Sequence, residues 1–275
     1  MIENKIYNLG IDYLMSHKTI TEQEIDKHLM PLHQKPNDFK ILFERFCETA
    51  QNKQMSVKVI GDSIGGVKKL ANVLCGFDPH KVAEDYSKQD GDLLFTTIKD
   101  SLNPKGKMRD TNRSLWPLYC KSVIDSAHFL AEFKTIADFY EWAIFFANDS
   151  KAKPALPLMI SMEISGIGFP LACDFLKEIG FDEYGKPDVH IKEIFKALNI
   201  IDKNEKSSSK QDYETLKALD RIAKINNVTT YAVDKVFWLI GSGDFYRSKI
   251  KIGQNRNEFI EKTLKNLNSQ DVIIY

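Results

Sequence analysis

Five residues, Gly166-Ile167-Gly168-Phe169-Pro170, restrict what the chain around them can fold into more than any other stretch. Before them, Ala155 to Ile164 sets Leu156, Met159, Ile160 and Ile164 at helical spacing. After them, Leu171, Ala172, Phe175, Leu176 and Ile179 do the same. Pro170 lacks an N–H and has a fixed φ, so it fits a helix only in the first turn. The first helix therefore ends at Ser165-Gly166 and the second starts beside Pro170. The two glycines permit positive φ in the turn between them, and Ile167 pins that turn to a core. N–H groups of the turn and of the second helix's first residues are then left to face an anion, phosphate in particular. For this segment alone, a purely structural turn is the competing interpretation.

Helical periodicity extends through most of the 275 residues. It is seen at Leu9 to Met15 and after Thr21, an N-cap with Glu24 in capping-box position. It recurs after Asn37, from Val57 to Leu74 as two helices broken at Gly65-Gly66, and after Asp78-Pro79. Residues 103–113 form a polar loop, followed by two apolar helices, one behind Pro117 and one over 135–147. A solvated linker spans 201–212, with helices from about Tyr213 to Lys224 and from about Thr229 to Ile240, the latter capped by Gly241. In the tail, "KIKI" and "VIIY" can each form a short strand around a helix near Asn257 to Leu267. The expectation is a mostly all-α protein with a central cleft and room for one small β-hairpin. Its subdomains are expected at 40–200, containing the glycine turn at 155–180, and at 1–39 packed with 201–275.

Hydrophobic residues make up 43% and charged residues 28%, with 38 basic against 38 acidic side chains. Such a balance argues against a protein that coats nucleic acid nonspecifically, yet it allows one basic face. No apolar run reaches the roughly 20 residues of a membrane span, and the N-terminus lacks a secretory layout. Cys47, Cys75, Cys120 and Cys173 are scattered, as are the six histidines, so no metal and no cofactor is expected, and the thiols are expected to be buried and reduced.

Beyond the turn, "GFDEYGKPDVHI" leads into another helix near Asp188. A glycine hairpin followed by an aspartate at the next helix start resembles the helix-hairpin-helix DNA glycosylases, the superfamily of endonuclease III and the 8-oxoguanine DNA glycosylases. The V-D-V-H context of the 8-oxoguanine branch is similar to Pro187-Asp188-Val189-His190. The motif-bearing resemblance covers about Ala155 to Leu198. It implies that Asp188 is the catalytic carboxylate, that Gly166, Ile167 and Gly168 hold the DNA backbone, and that His190 contacts a phosphate. It also implies a loop near Thr49 to Ser56, with Gln51 and Gln54, that fills the gap left by an extruded base. Duplex DNA with a flipped modified base is the implied partner; the protein is expected to be a monomer in the cytoplasm, nucleoid-associated, the location following from the lack of a membrane span and of a secretory layout. Read without the resemblance, Asp188 is an N-cap and Gln51 and Gln54 lie at a polar helix end.

The chain departs from the pattern at one position. Bifunctional members carry a lysine in the order G-x-G-x-K, and here Pro170 takes its place. With no amine there to form a Schiff base, the resemblance implies a monofunctional enzyme that uses water. Lys186 and Lys121 are the available replacements, and a non-catalytic helix-hairpin-helix DNA-binding protein is the alternative. Six basic residues (Lys99, Lys105, Lys107, Arg109, Arg113, Lys121) and the basic tail from Arg247 to Arg256 are candidate backbone contacts. Trp116, Tyr119, Trp142, Trp238 and Tyr246 are candidate stacking partners for a base, with Trp238 to Tyr246 as a possible pocket edge.

Overall fold

A computed structural model describes residues 2–32, 34–111 and 114–271, with the side chains of 54–56 and 268–271 outside that description. The chain divides into two compact units, one made of 34–181 and the other of 1–33 with 182–275. It opens in the terminal unit with α1 (Ile6–Met15) and α2 (Glu22–Leu29). The central unit follows with α3 (Phe39–Gln51), α4 (Gly61–Ile64), α5 (Pro79–Asp85), α6 (Gly91–Leu102), α7 (Leu115–Ala131), α8 (Ile136–Ala147), α9 (Ala155–Glu163) and α10 (Phe169–Glu178). The chain then returns to the terminal unit with α11 (Val189–Ala197), α12 (Ser208–Asn226), α13 (Thr230–Ser242), the strands β1 (Asp244–Phe245) and β2 (Ile250–Lys251), and α14 (Arg256–Asp271). The fold is mostly all-α, and no described helix is long and apolar enough to cross a membrane.

In the central unit α7 is the axis, packed by α3, α5 and α6, and Ser122, Asp125 and Ser126 are buried along it with the apolar residues. Phe46 of α3 stacks on Phe175 of α10 with ring centroids 3.6 Å apart, which fixes the second hairpin helix against the core. In the terminal unit α13 is buried almost end to end. Val236, Phe237 and Ile240 meet Ile6 and Leu14 of α1, Ile191 and Phe195 of α11, and Leu219 and Ile222 of α12. Residues 182–200 pack here because Ile191, Ile194 and Phe195 are core residues of this unit, so the central unit ends at Phe181, not near 200.

Most helix starts sit where their caps demand. Thr21 accepts from the Glu24 N–H, Asp78 from the Lys81 N–H ahead of Pro79, and Thr135 and Asp138 form a reciprocal capping box. Others differ from the sequence expectation. Asp38, not Asn37, caps α3. The 57–74 stretch is the four-residue α4 between two 3-10 turns, broken at Gly65-Gly66, because neither side is long enough to propagate a helix. The helix α12 begins at Ser208, capped by Ser207, so residues 208–212 of the expected linker are helical. Of the two tail strands, Ile250–Lys251 within "KIKI" pairs antiparallel with Asp244–Phe245, and "VIIY" lies outside the described residues. Cys75 is exposed rather than buried, its thiol 3.2 Å from the Asp85 carboxylate, and the other three cysteines are buried.

Candidate functional site: a glycine hairpin and a capping aspartate

The central unit supplies the hairpin. Gly166 has φ +85° and sits where a Cβ would lie 2.5 Å from Ser122 Oγ and 3.2 Å from Leu118 Cγ, so only glycine fits without displacement. Gly168 has φ −78° and ψ 170°, the extended N-cap position of α10, and a Cβ there meets nothing closer than Pro170 Cδ at 4.0 Å. Positive φ is therefore required at the first glycine and not at the second. Ile167 is buried, as its apolar character demands. Pro170 lies in the first turn of α10, where its missing N–H costs nothing.

Two residues of α7 hold the turn from behind. Asp125, 5% exposed, accepts a 2.9 Å hydrogen bond from the Ser165 N–H through Oδ2. Ser122 Oγ donates to the Ser165 carbonyl and to Leu118 O. With Ser165 satisfied, the N–H groups of Gly166, Gly168, Phe169 and Leu171 have no acceptor among the described residues. Four free N–H groups at one turn and helix start form a concentration of partial positive charge suited to an oxyanion. Neither Asp125 nor Ser122 was singled out from sequence. The available signal was a lone carboxylate on the apolar stripe of a strongly hydrophobic helix.

The terminal unit supplies the carboxylate. Asp188 is the N-cap of α11, its Oδ1 accepting from the Ile191 N–H at 3.0 Å. A helix N-terminus alone favours the ionised form, but the balance here runs the other way. Burial pushes the Asp188 carboxyl above the usual aspartate range and Asp234 adds to the rise, while the Ile191 N–H, His190 and Lys186 oppose it. The loop that carries Asp188 is seated on α13. A Cβ at Gly185 would lie 3.1 Å from Asp234 Cβ and 3.3 Å from Thr230 Cγ2, and the Tyr231 N–H donates to Asp182 O at 2.9 Å. Two residues past Asp188, His190 packs on Gly241, where a Cβ would lie 2.4 Å from His190 Cβ. That contact explains why Gly241 lies inside α13 and not at its end, which Gly243 caps at φ +65°. His190 Nδ1 is buried without a hydrogen-bond partner.

Other expected contacts divide. Gln51 Oε1 is buried, and a Cβ at Gly61 would lie 2.3 Å from it, so this side chain turns into the central unit; the side chain of Gln54 lies outside the described residues. Trp116 and Tyr119 are core residues, whereas Trp238 is half-buried and Tyr246 exposed. Arg113 lies outside the described residues, and Lys107 and Arg109 line a cavity of 450 Å³ with Trp116. In the tail, Arg256 is paired with Glu193 and Arg247 caps the end of α2, which removes two of the four cations from a free patch. Lys121 is exposed beside a cavity of 610 Å³ that it lines with Leu118 and Asp125.

Residues 125–228 match the family model described as 8-oxoguanine DNA glycosylase, a span that holds Asp125, the hairpin, Asp188 and His190. Over that span the chain is similar to the 8-oxoguanine DNA glycosylases, which supports membership of the helix-hairpin-helix glycosylase superfamily. No match was found among curated proteins or among solved structures. The match begins on α7 at the residue that anchors the hairpin turn and ends just after α12.

Proposed function

We propose that the protein is a monofunctional DNA glycosylase, hydrolysing the N-glycosidic bond of a damaged or otherwise modified base with water as nucleophile. The observation that carries this reading is Asp188, a half-buried carboxylate whose pKa is raised by burial, held at a helix start between the Asp234 and Gly241 contacts of its loop. Cleaving the bond builds positive charge on the deoxyribose, and an ionised carboxylate in a poorly solvated site stabilises that charge strongly. The same group can orient or deprotonate the attacking water. A carboxyl with a raised pKa is also a better base than an exposed one.

The hairpin's role in this reading is to bind the DNA backbone through the free N–H groups of Gly166 and Gly168, with Ile167 anchoring the turn. Pro170 supports hydrolysis over lyase chemistry, because the position that carries the Schiff-base amine in bifunctional members has no amine here. The protein is proposed to act on duplex DNA with the target base extruded.

Incubation with duplexes bearing a panel of modified bases, followed by alkali, tests the reading. Release by wild type and not by Asp188→Asn is the expected result. Duplex binding without release across the panel would instead support a non-catalytic DNA-binding protein.

A further inference from the structure

Helix α13 carries a buried cation that the reading above does not use. Lys235 is 8% exposed, and no carboxylate among the described residues pairs with it. Its Nζ lies 5.3 Å from the ring centroid of Tyr231, 5.6 Å from that of Trp238 and 5.4 Å from that of Tyr246. The preceding residue, Asp234, is no substitute partner, because its side chain starts out against Gly185. A second cation stands at the same rings. The Arg247 guanidinium lies 5.7 Å from the Tyr246 centroid, and Nη2 donates to Tyr231 Oη at 2.9 Å. Nη1 donates to the carbonyls of Lys27 and Met30 at the end of α2, while Nε is buried with no acceptor.

The third basic group here is silent. His28 is fully buried, its Nδ1 on Glu24 O and its Nε2 accepting from the Arg247 N–H, and its ring is edge-on to Tyr246. Burial, Arg247 and Lys235 lower its pKa, so it stays neutral and adds no charge. An ammonium and a guanidinium thus share one aromatic enclosure, with no carboxylate paired to either among the described residues. Aromatic faces recover part of the desolvation cost of Lys235 but leave its N–H groups without acceptors, whereas in Arg247 only Nε lacks one. Tyr246, on the turn between β1 and β2, is 44% exposed.

We propose that this Lys235–Arg247 enclosure takes the extruded nucleobase and selects one bearing negative charge on its edge, such as a carboxylated pyrimidine. The inference rests on the glycosylase reading and deepens it by naming a substrate class. A flat anionic ring satisfies both features at once, stacking on the aromatic walls while its charged edge meets the two cations. A phosphate would meet the cations only.

Titration of the full-length protein with free nucleosides tests this without requiring catalysis. Wild type is expected to bind 5-carboxy-2′-deoxycytidine at least about tenfold more tightly than 2′-deoxycytidine, as a charge-assisted contact implies. Lys235→Met and Lys235→Gln are both expected to abolish the preference, and Lys235→Arg to keep most of it. Equal binding of the two nucleosides, or an unchanged preference in either neutral variant, would overturn the proposal. Tighter binding of 2′-deoxycytidine 5′-monophosphate than of the carboxylated nucleoside would also overturn it, identifying a phosphate site. A protein that prefers the carboxylated nucleoside but releases no base would sink the glycosylase reading and leave the pocket standing.

Discussion

His190 sits on Gly241 with no room for a side chain between them: a Cβ at position 241 would fall 2.4 Å from His190 Cβ and 2.6 Å from Cγ. The contact joins the first turn of α11 to α13 and so fixes where the helix start bearing Asp188 lies. Gly241→Ala is expected to destabilise the protein by about 1–3 kcal/mol, the usual cost of overpacking a tight core contact. Pairing it with His190→Ala should recover most of that loss, since the clash needs both side chains. Thermal unfolding of the two single variants and the double variant gives the coupling directly.

The two hairpin glycines are expected to behave differently. Gly166→Ala combines φ +85° with a 2.5 Å approach to Ser122 Oγ and should cost about 2 kcal/mol or more of stability. Gly168→Ala has ordinary φ and open space, and should cost about 1 kcal/mol or less, the value of a poorer N-cap. Its larger effect is expected on duplex affinity, because a methyl group there stands among the N–H groups proposed to bind the DNA backbone. Denaturation and anisotropy titrations on the same two variants separate fold from binding.

Asp125→Ala is expected to loosen the hairpin by removing the acceptor of a part-buried N–H. The Ser165 amide would be left unpaired, at a cost of about 1–3 kcal/mol. Hydrogen exchange at residues 165–168 should accelerate more than exchange in α3 or α5.

Asp188 gives a pH signature. Its folded-state pKa lies above the unfolded value of 3.8, so the folded state binds that proton more tightly than the unfolded chain. The resulting stabilisation is present in full below the unfolded pKa and is lost as pH rises through the folded one. Asp188→Asn keeps the N-cap hydrogen bond to Ile191 and removes the buried charge. The variant is therefore expected to be at least as stable as wild type at neutral pH, with its advantage shrinking on acidification. The proposed reaction needs the ionised form, so the acidic limb of kcat/KM should lie above 3.8 and move to lower pH in Asp234→Asn, which removes one cause of the rise.

The sequence made the hairpin and the capping aspartate legible because both rest on local chemistry. Pro170 tolerates one place in a helix, and an aspartate before an amphipathic run is a cap. What escaped depends on contacts between distant segments. Asp125 is a mid-helix acid until α7 is placed behind the Ser165 turn. Gly241 passes for a terminator until His190 is packed on it. The Lys235 enclosure draws on α13 and the β1–β2 turn together, and Arg247 reads as surface charge until the carbonyls of α2 close around it. The boundary between the units shifted for the same reason, since only three-dimensional packing shows that Ile191 and Phe195 join the terminal core.

One reaction bears most directly on the proposed chemistry. A labelled duplex carrying a released base is divided into untreated, alkali-treated and borohydride-treated portions, with wild type and Asp188→Asn run side by side. Strand cleavage is expected only after alkali, with no protein–DNA adduct under borohydride, and none of it in Asp188→Asn. Cleavage without alkali, a trapped adduct, or undiminished release by Asp188→Asn would contradict a water-dependent glycosylase built on that carboxylate.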